Sequence, residues 1–143
     1  MFKDEKQLEE FIFLIYSTKK RLWESLNMQG VDVNSAIRFA SLQFIIEKEK
    51  PTMKDLASFL HIKPPSATIL INGLVRFGFI KRKSDTKDRR ITRLRITEKG
   101  KDYFDKTLKK ISNNVRTIFT KLSEQEIGEL IKILKKLYYA TTK

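Results

Sequence analysis

From Pro51 to Gly100 the spacing of apolar side chains changes period, and no other feature of the chain constrains its fold as much. Thr52 is a good N-cap, and Asp55 three residues later makes a shorter relative of the capping box. Leu56, Ala57 and Leu60 then mark the inward side of a short helix ending at His61. His61 stands in a tight turn where the backbone tends to need positive φ. Gly is usual there, and His is among the residues that reach that region at some cost. Pro64 and Pro65 open another helix, since proline is tolerated in a first turn. Its buried stripe is Ala67, Leu70, Ile71 and Leu74, with Ile62 plugging the turn and Gly78 stopping the helix. Beyond Gly78 the period falls to 2. Thr92, Leu94 and Ile96 share one face of a strand and Arg93 and Arg95 the other, so this strand and Phe79 to Lys83 read as a hairpin with a long polar tip, Ser84 to Arg90.

The flanks are helical. A first helix runs from about Asp4 to Asn27, with Leu8, Phe11, Ile12, Ile15, Leu22 and Leu26 at helical spacing. Phe13, Leu14, Tyr16 and Trp23 widen that stripe, so the helix is buried on more than one side. In a short chain this implies a partner subunit; the competing reading is the central helix of a monomer. Gly30 breaks the pattern, and Asn34 or Ser35 can cap a second helix reaching about Lys48. Thr97 caps a fifth helix running from Glu98 to about Leu122, and Ser123 to Glu126 form a full capping box for a sixth.

Charge and composition narrow the function. The 143 residues carry a net charge of +13, which points to an anionic partner. A merely Lys-rich composition is the competing account. Clustering favours the first: Lys81, Arg82, Lys83, Lys87, Arg89, Arg90, Arg93 and Arg95 crowd one hairpin, with only Asp85 and Asp88 among them. The chain has no Cys, which excludes disulfides, thiolate catalysis and thiol redox sensing, and one His, which cannot build a multi-His metal site. No Gly-rich phosphate loop or nucleophile motif is present, and Glu9, Glu10, Glu124 and Glu126 fall at surface or cap positions. We therefore expect no enzyme activity, metal or cofactor. No signal peptide is visible, and the apolar run Phe11 to Tyr16 is far too short to span a bilayer, so the expected compartment is the cytoplasm. The charge lies on a hairpin and not on an amphipathic helix, which argues against a membrane surface.

Short helix, tight turn, second helix and basic hairpin together describe a winged helix-turn-helix, with a generic helical hairpin as the bland alternative. In such a unit the second helix reads base edges in the major groove of double-stranded DNA. The wing can place a cation in the minor groove, and phosphate contacts supply much of the affinity. Counted from Pro64, the outward face is Pro65, Ser66, Thr68, Ile69, Asn72, Gly73 and Arg76, preceded by Lys63. Ser66 and Thr68 suit bases or phosphates, Asn72 suits adenine, and Ile69 suits a thymine methyl unless the helix phase turns it into the protein. The expected site is A·T-rich, with heavy reliance on the wing.

Two segments, "DLASFLHIKPPSATILINGLVRFGFIKR" and "DTKDRRITRLRITEKG", resemble the MarR family of transcriptional regulators, on Gly78-Phe79-Ile80, Asp88-Arg89-Arg90, Leu94-Arg95-Ile96-Thr97 and Gly100. The resemblance implies a mainly α fold with a small β-hairpin: a winged helix-turn-helix (33–100) between an N-terminal dimerisation helix (1–32) and C-terminal dimerisation helices (101–143). It implies a homodimer through the first, fifth and sixth helices. It makes Arg90 the arginine of the minor groove and Asp88 the acid that orients arginine and pins the wing. Arg89 and Lys87 would serve phosphates, while Asp85 reads as a turn residue and Arg93 and Arg95 as a solvated strand face or phosphate contacts. Where relatives often carry Arg or Lys, this chain has Ile69 and Gly73. The family's small aromatic or anionic effectors suggest Tyr16, Trp23, Phe39 and Phe44 as a cavity lining, with simple core packing as the alternative. The expected function is a DNA-binding regulator, most simply a repressor. An architectural protein coating DNA with low specificity is the rival.

Overall fold

Local capping rules account for most of the element boundaries in the computed structural model of the chain, which describes residues 2–26 and 33–141. The side chains of Trp23, Ser25, Leu26 and Val33 lie outside that description. Helices α1 (Glu5–Leu26), α2 (Val33–Glu47), α3 (Met53–Phe59) and α4 (Pro64–Arg76) precede strands β1 (Ile80–Ser84) and β2 (Thr92–Ile96). Helix α5 (Glu98–Ile118), a 3-10 turn (Phe119–Lys121) and α6 (Glu124–Thr141) complete the chain. The element order is the one expected from the sequence.

Thr52 and Asp55 form both halves of a capping box. The Asp55 amide donates to Thr52 Oγ1 at 3.1 Å, and the Thr52 amide donates to Asp55 Oδ2 at 2.7 Å. The Thr52 amide is also the main reason the Asp55 carboxyl sits below its ordinary pKa. Pro64 and Pro65 occupy the first turn of α4, where the missing N–H groups would have no intrahelical partner. His61 adopts φ 52° and Gly78 φ 75°, so the positive φ expected at His61 is present.

Two boundaries differ from expectation. Helix α2 begins at Val33, so Asn34 and Ser35 lie inside it and do not cap it; Gly30 and its neighbours are outside the described residues. Helix α5 stops at Ile118, because its last turn tightens into the 3-10 segment before the Ser123–Glu126 box starts a new axis.

The core is built from Leu42, Phe44 and Ile45 of α2, Leu56 of α3, Ile71 and Leu74 of α4, and Phe79, Ile80 and Leu94 of the hairpin and its approach. A two-stranded hairpin alone is marginal in water; this one is anchored. In the antiparallel register Ile80 faces Ile96 and Arg82 faces Leu94, and Leu94 is fully buried. The Leu94 amide also donates to the Pro51 carbonyl at 2.8 Å, tying β2 to the entry of α3.

At the far end of the hairpin, Thr97 acts as a clasp. Its hydroxyl lies 2.6 Å from the Gly78 carbonyl and accepts from the Gly100 amide at 3.0 Å, while its own amide donates to the Phe79 carbonyl at 3.0 Å. The end of α4 and the start of α5 are thereby joined.

Outside this unit, α6 buries none of its residues, and α1 exposes Phe11 to Tyr16. Among the described residues, no helix is long and apolar enough to cross a membrane, and no cluster could hold a metal ion.

Candidate nucleic-acid interface

Helix α4 presents two unlike faces. Ala67, Ile71 and Leu74 are buried, while Lys63, Pro65, Ser66, Thr68, Ile69, Asn72 and Arg76 are exposed. Ile69 is 74% exposed, which fixes the helix phase: the side chain points outward and does not pack into the protein. The Thr68 hydroxyl donates to the Pro64 carbonyl at 3.0 Å, which commits its proton and leaves its oxygen as an acceptor. At Gly73 nothing lies within 4 Å of where a Cβ would stand, and the backbone needs no glycine there. Asn72 is engaged. Its Oδ1 accepts a 2.6 Å hydrogen bond from Nη2 of Arg82 on β1.

Residues 85–91 form the wing tip, and its organiser is Asp85. One oxygen of this carboxylate accepts from the Lys87 and Asp88 amides at 2.8 and 3.2 Å, and the other accepts from Arg93 Nε at 2.7 Å. The Asp85 amide donates to the Ile91 carbonyl at 2.8 Å, closing the loop. Asp88 does less than the resemblance implies. Its carboxylate accepts from the Arg90 backbone amide at 2.9 Å, which shapes the turn and holds no arginine side chain among the described contacts. The acid that orients an arginine is Asp85, and the arginine is Arg93. Arg93 is accordingly no solvated strand face. It pairs with Asp85 and donates to the Lys50 carbonyl at 3.3 Å, bracing the wing against the turn that follows α2. Lys87, Arg89 and Arg90 stand exposed on this braced tip.

The Lys87 amide, then the Arg93 guanidinium, then the Asp88 amide hold the Asp85 carboxyl well below the usual carboxylate range, at about 2. A folded-state pKa below the unfolded value means that the contribution is fully present above about pH 4 and is lost as pH falls through about 2. A carboxyl NMR titration is expected to give Asp85 a midpoint near 2, and the wing amide resonances should move with it. A midpoint near 4 would mean that the tip is not held in this way.

The sequence analysis names neither the Arg82–Asn72 contact nor the Asp85–Arg93 pair. A signal for Arg82 existed, because period-2 alternation puts it on the same face as Ile80, toward the body of the protein. No periodicity could pair Asp85 with Arg93 across the tip.

The four aromatics named as a cavity lining occupy different surroundings. Phe44 is a core residue stacked on Phe59 at 4.5 Å, Phe39 stacks on Phe104 at 4.7 Å, and Tyr16 is 70% exposed. The side chain of Trp23 is outside the described residues. A groove of about 600 Å³ lies elsewhere, between the end of α2, β2 and the start of α5. Ile45, Ile46, Leu94, Ile96 and Phe104 give it an apolar floor, and Lys50, Arg95 and Lys101 outnumber Glu49 and Asp105 along it. Arg95 Nε is buried and has no hydrogen-bond partner among the described residues.

A turn-linked helix pair with an exposed second helix, flanked by a cation-bearing hairpin, defines the winged helix-turn-helix class. Residues 36–92 match the model of the MarR family. YkoM, an uncharacterized HTH-type transcriptional regulator of Bacillus subtilis, is 32% identical over 98 residues, covering 68% of this chain and 64% of YkoM, just under two thirds of that relative's length. The HTH-type transcriptional repressor MdtR, also from Bacillus subtilis, is 27% identical over 129 residues, covering 89% of this chain and 80% of MdtR. The structure of a MarR family protein from Bacillus stearothermophilus superposes with a TM-score of 0.74 at 24% identity, over 96% of this chain and 95% of that one. Residues 36–92 of the chain are thus a MarR-family domain.

Proposed function

We propose that the protein is a sequence-specific DNA-binding regulator that acts as a homodimer on a pseudo-palindromic, A·T-rich operator. The observation that carries this reading is the outward face of α4, with Ile69 and Arg76 exposed beside a wing whose tip is braced by Asp85. A helix of this kind fits the major groove, and Arg90 on the braced tip suits the narrow minor groove of A·T-rich DNA. Lys87 and Arg89 suit phosphates. The exposed apolar faces of α1 and α6 support dimerisation, which two half-sites require. Repression is the simplest mode and the one stated for the relative MdtR.

Selection of bound sequences from random DNA at two salt concentrations tests the reading. The expected result is a symmetric, A·T-rich consensus, and Arg90→Ala should weaken its binding by about 1–3 kcal/mol. A G·C-rich consensus would contradict the base preference. The absence of any consensus would favour an architectural protein coating DNA, which lacks a high ratio of specific to nonspecific affinity.

An anionic effector with an apolar body is the proposed regulator, supported by the groove around Arg95, Lys50 and Lys101. A ligand there would shift the spacing of the two DNA-binding lobes through α5. An aromatic carboxylate is expected to raise the melting temperature and lower DNA affinity, and Arg95→Gln to remove both effects. Retention of both effects in that variant would place the ligand elsewhere.

A further inference from the structure

The geometry points to Arg82 as a base-reading residue, held in place by Asn72, with the major-groove edge of a guanine as its target. This inference rests on the DNA-reading function proposed above. It adds to the interface a residue that lies neither on α4 nor in the wing tip, and it changes the role of Asn72 from reader of adenine to positioning residue.

The strand register places Arg82 opposite the fully buried Leu94, on the face of the hairpin turned toward the body of the protein. A charged side chain on that face has to leave the apolar layer, and Arg82 leaves it over the exposed side of α4. There its Nη2 meets Asn72 Oδ1 at 2.6 Å. A guanidinium only donates, so the Asn72 amide must turn its oxygen toward Arg82, and its orientation follows from chemistry. Bidentate reading of adenine needs that same oxygen to accept from the adenine amino group. Such reading competes with a charge-assisted bond already in place.

The guanidinium carries five N–H donors in a rigid fork. One nitrogen is used to fix its plane against α4, and the fork retains the donors that a two-acceptor edge requires. Guanine presents such an edge, O6 and N7, in the major groove, and arginine is its commonest specific partner. A phosphate contact positions the protein without reading sequence and gains little from a second side chain that fixes the plane. The position is also where a cation is missing. Along the outward face of α4, no basic residue stands between Lys63 and Arg76, and Arg82 brings one to the middle of that face from the neighbouring strand.

The test is the same selection from random DNA, run on wild type, Arg82→Ala, Arg82→Lys, Asn72→Ala and the Arg82→Ala/Asn72→Ala double variant. Arg82 and Asn72 are exposed, so the variants are expected to melt with wild type. The wild-type half-site should contain one strongly preferred G·C pair within its A·T-rich context. Arg82→Ala should lose discrimination at that position alone, on the order of ten- to a hundredfold. Arg82→Lys should lose most of it, because the fork is gone while the charge remains. Asn72→Ala should weaken the same position, and the double variant should be no worse than Arg82→Ala, as expected of residues that act as a unit.

Three results would overturn the inference and leave the regulator reading intact. The first is an equal loss for all sequences in Arg82→Ala, which would make Arg82 a phosphate ligand. The second is loss of an A·T preference at a different position in Asn72→Ala. The third is a consensus unchanged in Arg82→Ala. Failure of the wild-type protein to enrich any consensus would sink the regulator reading itself, and this inference with it.

Discussion

Replacing Gly100 by alanine is expected to destabilise the protein by about 3 kcal/mol or more and to lower its melting temperature by on the order of 10 °C. The sign is informative, because Gly→Ala inside a helix ordinarily stabilises by about 1 kcal/mol. Gly100 lies buried in the first turn of α5. A Cβ there would run into the Phe79 carbonyl oxygen and stand 2.8 Å from Ile96 Cγ1 and 2.9 Å from the Phe79 carbonyl carbon. That carbonyl cannot retreat cheaply, since it accepts from the Thr97 amide at 3.0 Å. Gly73→Ala and Gly128→Ala are the controls: nothing lies within 4 Å of either Cβ position, so both should melt at or slightly above wild type. A Gly100→Ala protein with unchanged stability would show that the joint between hairpin and α5 is much looser than its hydrogen bonds imply.

Leu134→Glu is expected to break the proposed homodimer. Within one chain α6 buries none of its residues. Ile131, Leu134, Leu137 and Tyr138 form one stripe of this helix, each about half exposed. A contiguous apolar surface of this kind marks an interface, and a carboxylate set into it costs several kcal/mol when left unpaired. By light scattering, the wild-type protein should have twice the 16.9 kDa mass of the chain. The variant should run as a monomer or fail to stay folded, and in either case DNA affinity should fall at least tenfold because the two half-sites are no longer engaged together. A wild-type monomer with a folded α1 would contradict the architecture.

Periodicity made the helices and the hairpin legible in the amino-acid sequence. Ala67, Leu70, Ile71 and Leu74 set the inward face of α4, but they leave the phase open by a residue at Ile69, which the structure places 74% exposed. Thr52 with Asp55, and Ser123 with Glu126, marked helix starts because capping is a local interaction across three residues. Other features depend on how segments meet in space, and no spacing rule reports that. Asp85 grips Arg93 across the wing tip, and Arg82 reaches Asn72 from a neighbouring strand. The role that the resemblance implies for Asp88 depends on the same geometry: its carboxylate is turned to the Arg90 backbone amide. The aromatics show the same limit. The family resemblance suggests a shared cavity for them, with core packing as the alternative, and helical spacing does not separate Phe44 in the core from Tyr16 on the surface.

The Thr97 clasp has a mechanical meaning in the proposed dimer. It ties the Gly78 and Phe79 carbonyls that follow α4 to the first turn of α5, so in that dimer the two helices would move together. Helix α5 is about 30 Å long at 1.5 Å per residue, and its far end leads to the faces that meet the second subunit. Any change in how those faces mesh is therefore geared directly into the distance between two recognition helices, which must match one turn of DNA, about 34 Å. A change of grip at the dimer end would be felt at the DNA without any movement inside the DNA-binding lobe.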